Sequence, residues 1–262
     1  MAVIGILDSG AGGLSVFREI RKLLPRARYV YYSDNAFCPY GDKEADFIIG
    51  RCTQITEWLR ENGADAVVVA CNTATAAAIA RLREQFPLPF IGMEPAVKSA
   101  ALGTRSGVIG VLATAGTLKA SKYLITKGRY GGGVRIVEHT GSGFVELVEN
   151  GILEGPEAEK ACAESLLPLL EAGADTIVLG CTHYPFLLET MRKVAAQNGY
   201  SGIRFIDPAP AVARRLVQVL SDAGIPTDDA HPGTALFSSG PDKTLKTLYS
   251  LIDKEDTVRE DA

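Results

Sequence analysis

Two cysteines in this chain each end a run of apolar residues. Cys71 closes the run in DAVVVACNTATAAA (65–78), and Cys181 does the same in DTIVLGCTHYPFLL (175–188). In open α/β sheets, ligands bind beyond the carboxyl ends of the strands. A thiol placed there, ahead of a helix start, is expected to have its pKa lowered from about 8.5, which favours the reactive thiolate. Two such thiols on opposite sides of one ligand can remove a proton from one face of a carbon and return one to the other. One acts as thiolate and the other as thiol, the roles swap with direction, and neither need become covalently attached. The α-proton of an amino acid is weakly acidic, so this chemistry also needs preorganised donors and a site closed to water.

The two cysteines are related by repetition. ENGADAVVVACNT (61–73) aligns without a gap on EAGADTIVLGCTH (171–183), with Glu, Gly, Ala, Asp, Val and Cys identical. A second pair, IGILDSGAGG (4–13) and IGVLATAGTL (109–118), repeats Ile, Gly and Leu and aligns Ser9 with the hydroxyl of Thr114. All α/β units share such features singly, but two pairs in the same order, one centred on a cysteine, point to internal duplication. Each half then opens on a glycine-bearing strand–turn and later carries a strand ending in a thiol.

Other residues join this pair by type. The turn LDSGAGGLS (7–15) has Ser15 where a dinucleotide fingerprint needs its last glycine, and Asp8 ahead of it opposes a phosphate. The turn is read instead as supplying a polar partner near a thiol, Asp8, and a ligand donor, Ser9; the alternative is a tight turn capped by Asp or Ser. Ser9, Asn72, Thr73, Thr117 and Thr182, with helix-start N–H groups, can hold carboxylates without a cationic side chain. Cys181-Thr182-His183 could suggest a metal, but a closed zinc site needs about four ligands and no second cluster supplies them. A protease-type Cys–His pair leaves Cys71 unexplained. Cys52 and Cys162 lie inside amphipathic helices and read as core. Cys38, in DNAFCPYG (34–41), lies in a loop of functional character with no counterpart in the repeat. His139 and His231 read as ordinary.

The elements that must position these groups alternate along the chain. Strand-like runs are 3–7, 28–32, 66–70, 107–112, 134–137, 176–180, 203–206 and 234–237, mostly apolar on both faces, as in a parallel sheet covered by helices. Helical patterns lie between them: over 43–62, apolar residues recur at spacings of three and four, and 156–173 opens with Pro and closes with Gly. The fold class is therefore α/β: two similar lobes with mostly parallel sheets flanked by helices, pseudo-twofold related, with the site in the cleft between them. The first lobe is expected over 1–95 plus 207–262 and carries Cys71; the second, over 96–206, carries Cys181. The charged tail, 253–262, is expected to fray.

Composition bounds the partners. With 262 residues, 47% hydrophobic and 22% charged, the chain reads as soluble and globular. A net charge of −4 gives no field for nucleic acid. No apolar run approaches the ~20 residues of a membrane span, and the N-terminus reads as a strand, not a signal peptide. Five widely spaced cysteines without a CxxC suggest free thiols in a reducing cytoplasm.

Taken in order, LDSGAGGLS (7–15), PYG (39–41), ACNTA (70–74), TAGT (114–117) and GCTHYP (180–185) resemble the glutamate racemases of the cofactor-independent aspartate/glutamate racemase superfamily, over residues 4 to about 240. The resemblance implies interconversion of L- and D-glutamate by two thiols, without pyridoxal phosphate or metal, with the D-isomer feeding peptidoglycan synthesis in bacteria. It implies Cys71 as base on one face and Cys181 on the other, Asp8 assisting the first and His183 the second. Glu149 falls where the family has another acidic residue near the second thiol, although HTGSGFVEL (139–147) stands where a Cys-Pro pair is usual upstream. Ser9, Tyr40, Gly41, Asn72, Thr73 and Thr182 match substrate-contact positions, and Thr117 is a further candidate. His183 resembles the glutamate branch, since aspartate racemases more often carry an acidic residue there. The resemblance implies a homodimer, with a monomer the alternative. The rival readings are an aspartate or hydantoin racemase and a two-lobed protein that binds an acidic amino acid without turning it over. The paired thiols argue against the last, because hydroxyls would bind as well and resist oxidation.

Overall fold

Runs of buried aliphatic residues alternate with amphipathic helices to build two parallel sheets. The computed structural model describes residues 2–228 and 231–260, with 254–260 by backbone alone. The strands are β1 (Val3–Asp8), β2 (Arg28–Ser33), β3 (Ala66–Val69), β4 (Phe90–Gly92), β5 (Val108–Ala113), β6 (Arg135–Thr140), β7 (Thr176–Gly180), β8 (Arg204–Ile206) and β9 (Gly233–Ser238). The helices are α1 (Leu14–Leu23), α2 (Ala45–Glu61), α3 (Asn72–Gln85), α4 (Val97–Gly103), α5 (Ala115–Lys119), α6 (Ser121–Tyr130), α7 (Phe144–Glu149), α8 (Pro156–Glu171), α9 (Leu188–Gln197), α10 (Ala209–Asp222) and α11 (Lys243–Glu260). One sheet has the order β4-β3-β1-β2-β9 and the other β6-β5-β7-β8, and every pairing is parallel.

The duplication extends to hydrogen-bond register. β1 pairs with β3 through Ile4↔Ala66 to Leu7↔Val69, and β5 pairs with β7 through Ile109↔Thr176 to Leu112↔Leu179, so the aligned residues of the two repeats occupy the same rungs. Reversed, the second order reads β8-β7-β5-β6, matching β4-β3-β1-β2 strand for strand, and β9 is an addition at the first sheet's edge. The shared Gly-Ala-Asp has a structural cause. Gly63 and Gly173 take φ of +85° and +93°, a left-handed conformation that ends the preceding helices with a matching pair of bonds. Ala64 N–H reaches back to Leu59 O in one copy, and Ala174 N–H to Leu169 O in the other. The aspartates then tie down neighbouring backbone: Val3 N–H donates to Asp65, and Arg105 and Ser106 N–H donate to Asp175.

Three elements differ from the sequence reading. β4 is a strand that the sequence hides, because it has three residues just after Pro89. α9 begins only at Leu188, so Cys181 is followed by a short 3-10 turn at Tyr184–Leu187 and not directly by a helix. The tail 253–262, expected to fray, has helical backbone to Glu260, as the end of α11, whose earlier residues Leu245, Leu248 and Ile252 are buried. Residues 261–262 lie outside the described residues. Among the described residues, no helix is long and apolar enough to cross a membrane. Cys52 and Cys162 are fully buried among apolar neighbours, as their helical spacing predicts.

Candidate active site

The residues that follow β1, β3, β5 and β7 converge. Ser9, Cys71, Thr114 and Cys181 line one cavity of ≈ 10 Å³ between the sheets. Tyr40, Gly41, Asn72, Thr73, Thr182 and His183 complete most of its wall. No lysine or arginine lines it, so the donors are neutral hydroxyls, an amide and backbone groups around the two thiols and His183. Of the residues named from sequence, Asp8, Glu149 and Thr117 stand behind the wall and act through those that form it.

Cys71 is the residue just before α3, and its Sγ accepts the Ala74 N–H at 3.4 Å, capping the helix. The sequence suggests a lowered thiol pKa here, and the structure overturns that. Burial, reinforced by the nearby Asp8 carboxylate, pushes Cys71 up to about 12, against the lowering effect of the bonds from Ala74 and Ser9. Magnitudes explain the outcome: a helix terminus contributes about 0.3–1 kcal/mol, less than one pH unit at 1.36 kcal/mol each. Desolvation of a fully buried thiolate outweighs it. Cys71 therefore rests as a thiol whose conjugate thiolate is a strong base.

Asp8 ends β1 fully buried. Its Oδ2 accepts the Gly10 N–H at 2.9 Å and its Oδ1 accepts the Thr182 hydroxyl at 3.3 Å, a bond that joins the two repeats. Burial raises its pKa, opposed chiefly by His183. A second bridge runs from the Ser15 hydroxyl to Thr182 O at 2.9 Å.

Around Cys181 the groups are charged. Nδ1 of His183 lies 3.7 Å from Cys181 Sγ, and its Nε2 lies 2.7 Å from Glu149 Oε1. Burial alone would lower the His183 pKa, but bonds to Cys181, Cys38 and Glu149 overcome it and hold the ring protonated well above its ordinary range. Burial likewise pushes Glu149 up, and the His183 bond outweighs it to leave the carboxyl below its usual value. Glu149 Oε1 also accepts the Ala11 N–H at 2.6 Å. Although HTGSGFVEL lacks the family's usual Cys-Pro, α7 still delivers Glu149 to His183.

The glycines of LDSGAGGLS serve this crowding and not a turn conformation. None of Gly10, Gly12 or Gly13 has positive φ. A Cβ at Gly10 would lie 2.1 Å from Glu149 Oε1, and one at Gly12 would lie 2.4 Å from His183 Nδ1. The backbone must approach the imidazole and carboxylate this closely for Ala11 to bond Glu149.

On the opposite wall, Thr73, Thr114 and Thr117 form a hydroxyl cluster: Thr73 to Thr114 at 3.0 Å, Thr114 to Thr117 at 3.0 Å and Thr73 to Thr117 at 3.4 Å. Thr114 was not singled out as a ligand from sequence, though its alignment with Ser9 carried the signal. Both polar atoms of the Asn72 side chain are buried with no protein partner, so they remain available to a ligand. The Tyr40 hydroxyl is committed to Asp34, which also receives Arg51 at 2.6 and 2.9 Å. That leaves the backbone of Tyr40 and Gly41 to face the cavity, and Gly41 packs so tightly on Thr114 that a Cβ would sit 3.1 Å from it. His139 bonds the Thr140 carbonyl and takes no part.

With fold and site in place, the chain belongs to the Asp/Glu/Hydantoin racemase family, whose model matches residues 4–216. It is 45% identical over 252 residues to a glutamate racemase of Ectopseudomonas mendocina, covering 96% of this chain and 94% of that protein. It is 48% identical over 255 residues to one of Pseudomonas aeruginosa, covering 97% and 91%. The structure is similar to an Escherichia coli glutamate racemase solved with L-glutamate and the activator UDP-MurNAc-ala: TM-score 0.85, 34% identity, covering 97% of this chain and 94% of that one.

Proposed function

We propose that this chain is a racemase that interconverts L- and D-glutamate by proton transfer at Cα, with Cys71 and Cys181 as the two acid–base groups. The observation that supports this most is that two thiols, at matched positions of a duplicated strand unit, line one buried cavity. One sulfur, as thiolate, removes the α-proton; the other, as thiol, delivers a proton to the opposite face, and the reverse reaction exchanges the roles. A raised Cys71 pKa suits this chemistry, because a weakly acidic C–H needs a strong base. Asp8 tunes Cys71 by its charge, and protonated His183, fixed by Glu149, passes protons to and from Cys181 through Nδ1. Ser9, Asn72, Thr73, Thr182 and the backbone at Tyr40 and Gly41 hold the carboxylates and amine, and Thr117 acts from behind them through Thr73 and Thr114. No cofactor enters the scheme. We take residues 1–95 with 207–262 as one lobe and 96–206 as the other, a division supported by the chain leaving the first sheet after β4 and rejoining it at β9. The D-glutamate would supply peptidoglycan synthesis. Thiols that must stay reduced suit the cytoplasm. We read the protein as a homodimer, with a monomer the alternative that sedimentation distinguishes.

L-Glutamate incubated with the protein in heavy water, with nothing added, is expected to exchange its α-hydrogen as its optical rotation decays. Cys71→Ala and Cys181→Ala should each lower racemisation by at least 10²–10⁴-fold. A requirement for pyridoxal phosphate, or full activity in either variant, overturns the scheme. Aspartate and a hydantoin, assayed beside glutamate, separate the sibling activities; binding of glutamate without exchange would identify a passive binder.

A further inference from the structure

We propose that Cys38, Glu149 and His183 form a binding site for a thiophilic divalent cation of the Zn²⁺ class, and that filling it arrests the enzyme. The sequence shows no such cluster, because the three residues are far apart in the chain. The fold brings Cys38 Sγ to 3.9 Å from Glu149 Oε1, and His183 Nε2 to 2.7 Å from the same oxygen. All three ligand atoms lie within 4.8 Å of one another. A tetrahedral zinc with one sulfur, one nitrogen and one oxygen ligand sets those atoms about 3.3–3.6 Å apart. Changes of about 0.5–1.2 Å in these separations therefore convert the existing cluster into a coordination shell.

The donor set selects the ion. One thiolate, one imidazole and one carboxylate suit zinc and its neighbours, whereas magnesium and calcium require oxygen. Thiolate and carboxylate together cancel the charge of the cation. Glu149 Oε2 is buried without a hydrogen-bond partner, so a second carboxylate oxygen is free to turn toward the metal. The other imidazole nitrogen, Nδ1, faces Cys181, which would orient the ring as an outer partner. A water would complete the fourth position. Cys38 is half-buried, and its loop runs into an open depression of ≈ 200 Å³ lined by Pro39, Gly41, Thr114, Gly141 and Val145, which offers an access path.

Two consequences follow from which groups are used. The cation would occupy His183 and Glu149, which the proposed mechanism needs as a proton relay to Cys181. It would also tie the loop of Cys38 to α7 and the β7 end, pinning the two repeats together. Binding should therefore inhibit and stabilise at once, without touching Cys71. Inhibition as a readout rests on the racemase reading; the binding readouts below do not.

The reduced, metal-free protein is titrated with Co²⁺ and, in competition with a chromophoric indicator, with Zn²⁺. The expected result is one equivalent bound, a sulfur-to-cobalt charge-transfer band with tetrahedral visible bands, and a raised Tm. Cys38→Ser should lose the charge-transfer band and become at least ten-fold less sensitive to Zn²⁺ inhibition, measured relative to the variant's own metal-free turnover. A Cys71→Ala/Cys181→Ala double variant should keep the band, which tests the site even if Cys38→Ser fails to fold. Absence of a thiolate band in the wild type, its survival in Cys38→Ser, or its loss in the double variant would each overturn the proposal. The first means no site, and the other two mean a metal held by the thiols of the main cavity.

Discussion

A methyl group on Gly12 would penetrate the imidazole of His183, 2.4 Å from Nδ1, and the ring cannot yield without leaving either Cys181 or Glu149. Gly12→Ala is thus expected to lower kcat/KM by about 10²-fold or more, the scale of a lost acid–base group. The purified variant should still show a cooperative melt; wild-type kinetics would mean that His183 does not need its present position. At this scale the sequence disclosed what repetition could disclose. Cys71, Cys181, Ser9 and Thr182 follow from aligned motifs and residue type. Glu149 lies 34 positions from His183 and Cys38 lies 111 from Glu149, and no local pattern encodes their proximity. The glycines were legible as a turn, but their cause, the closeness of side chains from the other repeat, was not. The helix-start argument at Cys71 failed because sequence gives the sign of a helix terminus but not the depth of burial that opposes it.

Among the elements, the repeated Gly-Ala-Asp shows that much of the internal identity reflects folding, with the thiol as its chemical remainder. Asp175 accepts the Thr104 hydroxyl at 2.6 Å and the N–H groups of Arg105 and Ser106 at 2.6 and 2.8 Å, anchoring the approach to β5. Desolvation would raise its pKa, but these donors hold it well below the usual carboxylate range. A depressed folded pKa means the stabilisation is complete above the unfolded value near 4 and is lost as pH falls through the folded one. Asp175→Ala should therefore lower stability by about 1–2 kcal/mol at pH 7, a range reduced for partial exposure, with the gap from wild type closing in acid. A gap that persists unchanged at low pH would deny the carboxylate this role. Gly50 gives the opposite case: it lies exposed inside α2 with open space around its missing Cβ. Gly50→Ala should stabilise by about 0.5–1 kcal/mol, read from chemical denaturation, with turnover unchanged. Strands and long helices were legible because their apolar periodicity is strong. β4 was not, since three residues after a proline carry no period, and its place is fixed by pairing with β3.

For the molecule as a whole, the cavity between the repeats sets a requirement for motion. Its ≈ 10 Å³ is the room of about one water, whereas glutamate has about ten non-hydrogen atoms. The wall must therefore part to admit substrate and close again to exclude solvent during proton transfer. Contacts joining the repeats include Ser15 to Thr182 O at 2.9 Å, Thr182 to Asp8 at 3.3 Å, Ala11 to Glu149 at 2.6 Å and Thr73 to Thr114 at 3.0 Å, beside apolar residues of both halves that share one core cluster. The polar bridges lie on the loops beyond the strand ends, so opening should spare the sheets. Amide exchange in free protein is expected to be faster along 9–15, 38–42 and 140–146 than in β1, β3, β5 and β7, and saturating D-glutamate should slow it in those loops alone. Ser15→Ala removes one bond from the closed arrangement without entering the cavity wall, and it leaves the Thr182 carbonyl short of a partner. A loss of about 1 kcal/mol from closure should raise KM about five-fold. Were opening to limit turnover, the same change would raise kcat, and a viscogen would lower wild-type kcat more than that of the variant. Loops that exchange at one rate with and without ligand, together with an unchanged KM in Ser15→Ala, would mean that substrate enters without parting the repeats and that these bridges do not govern access.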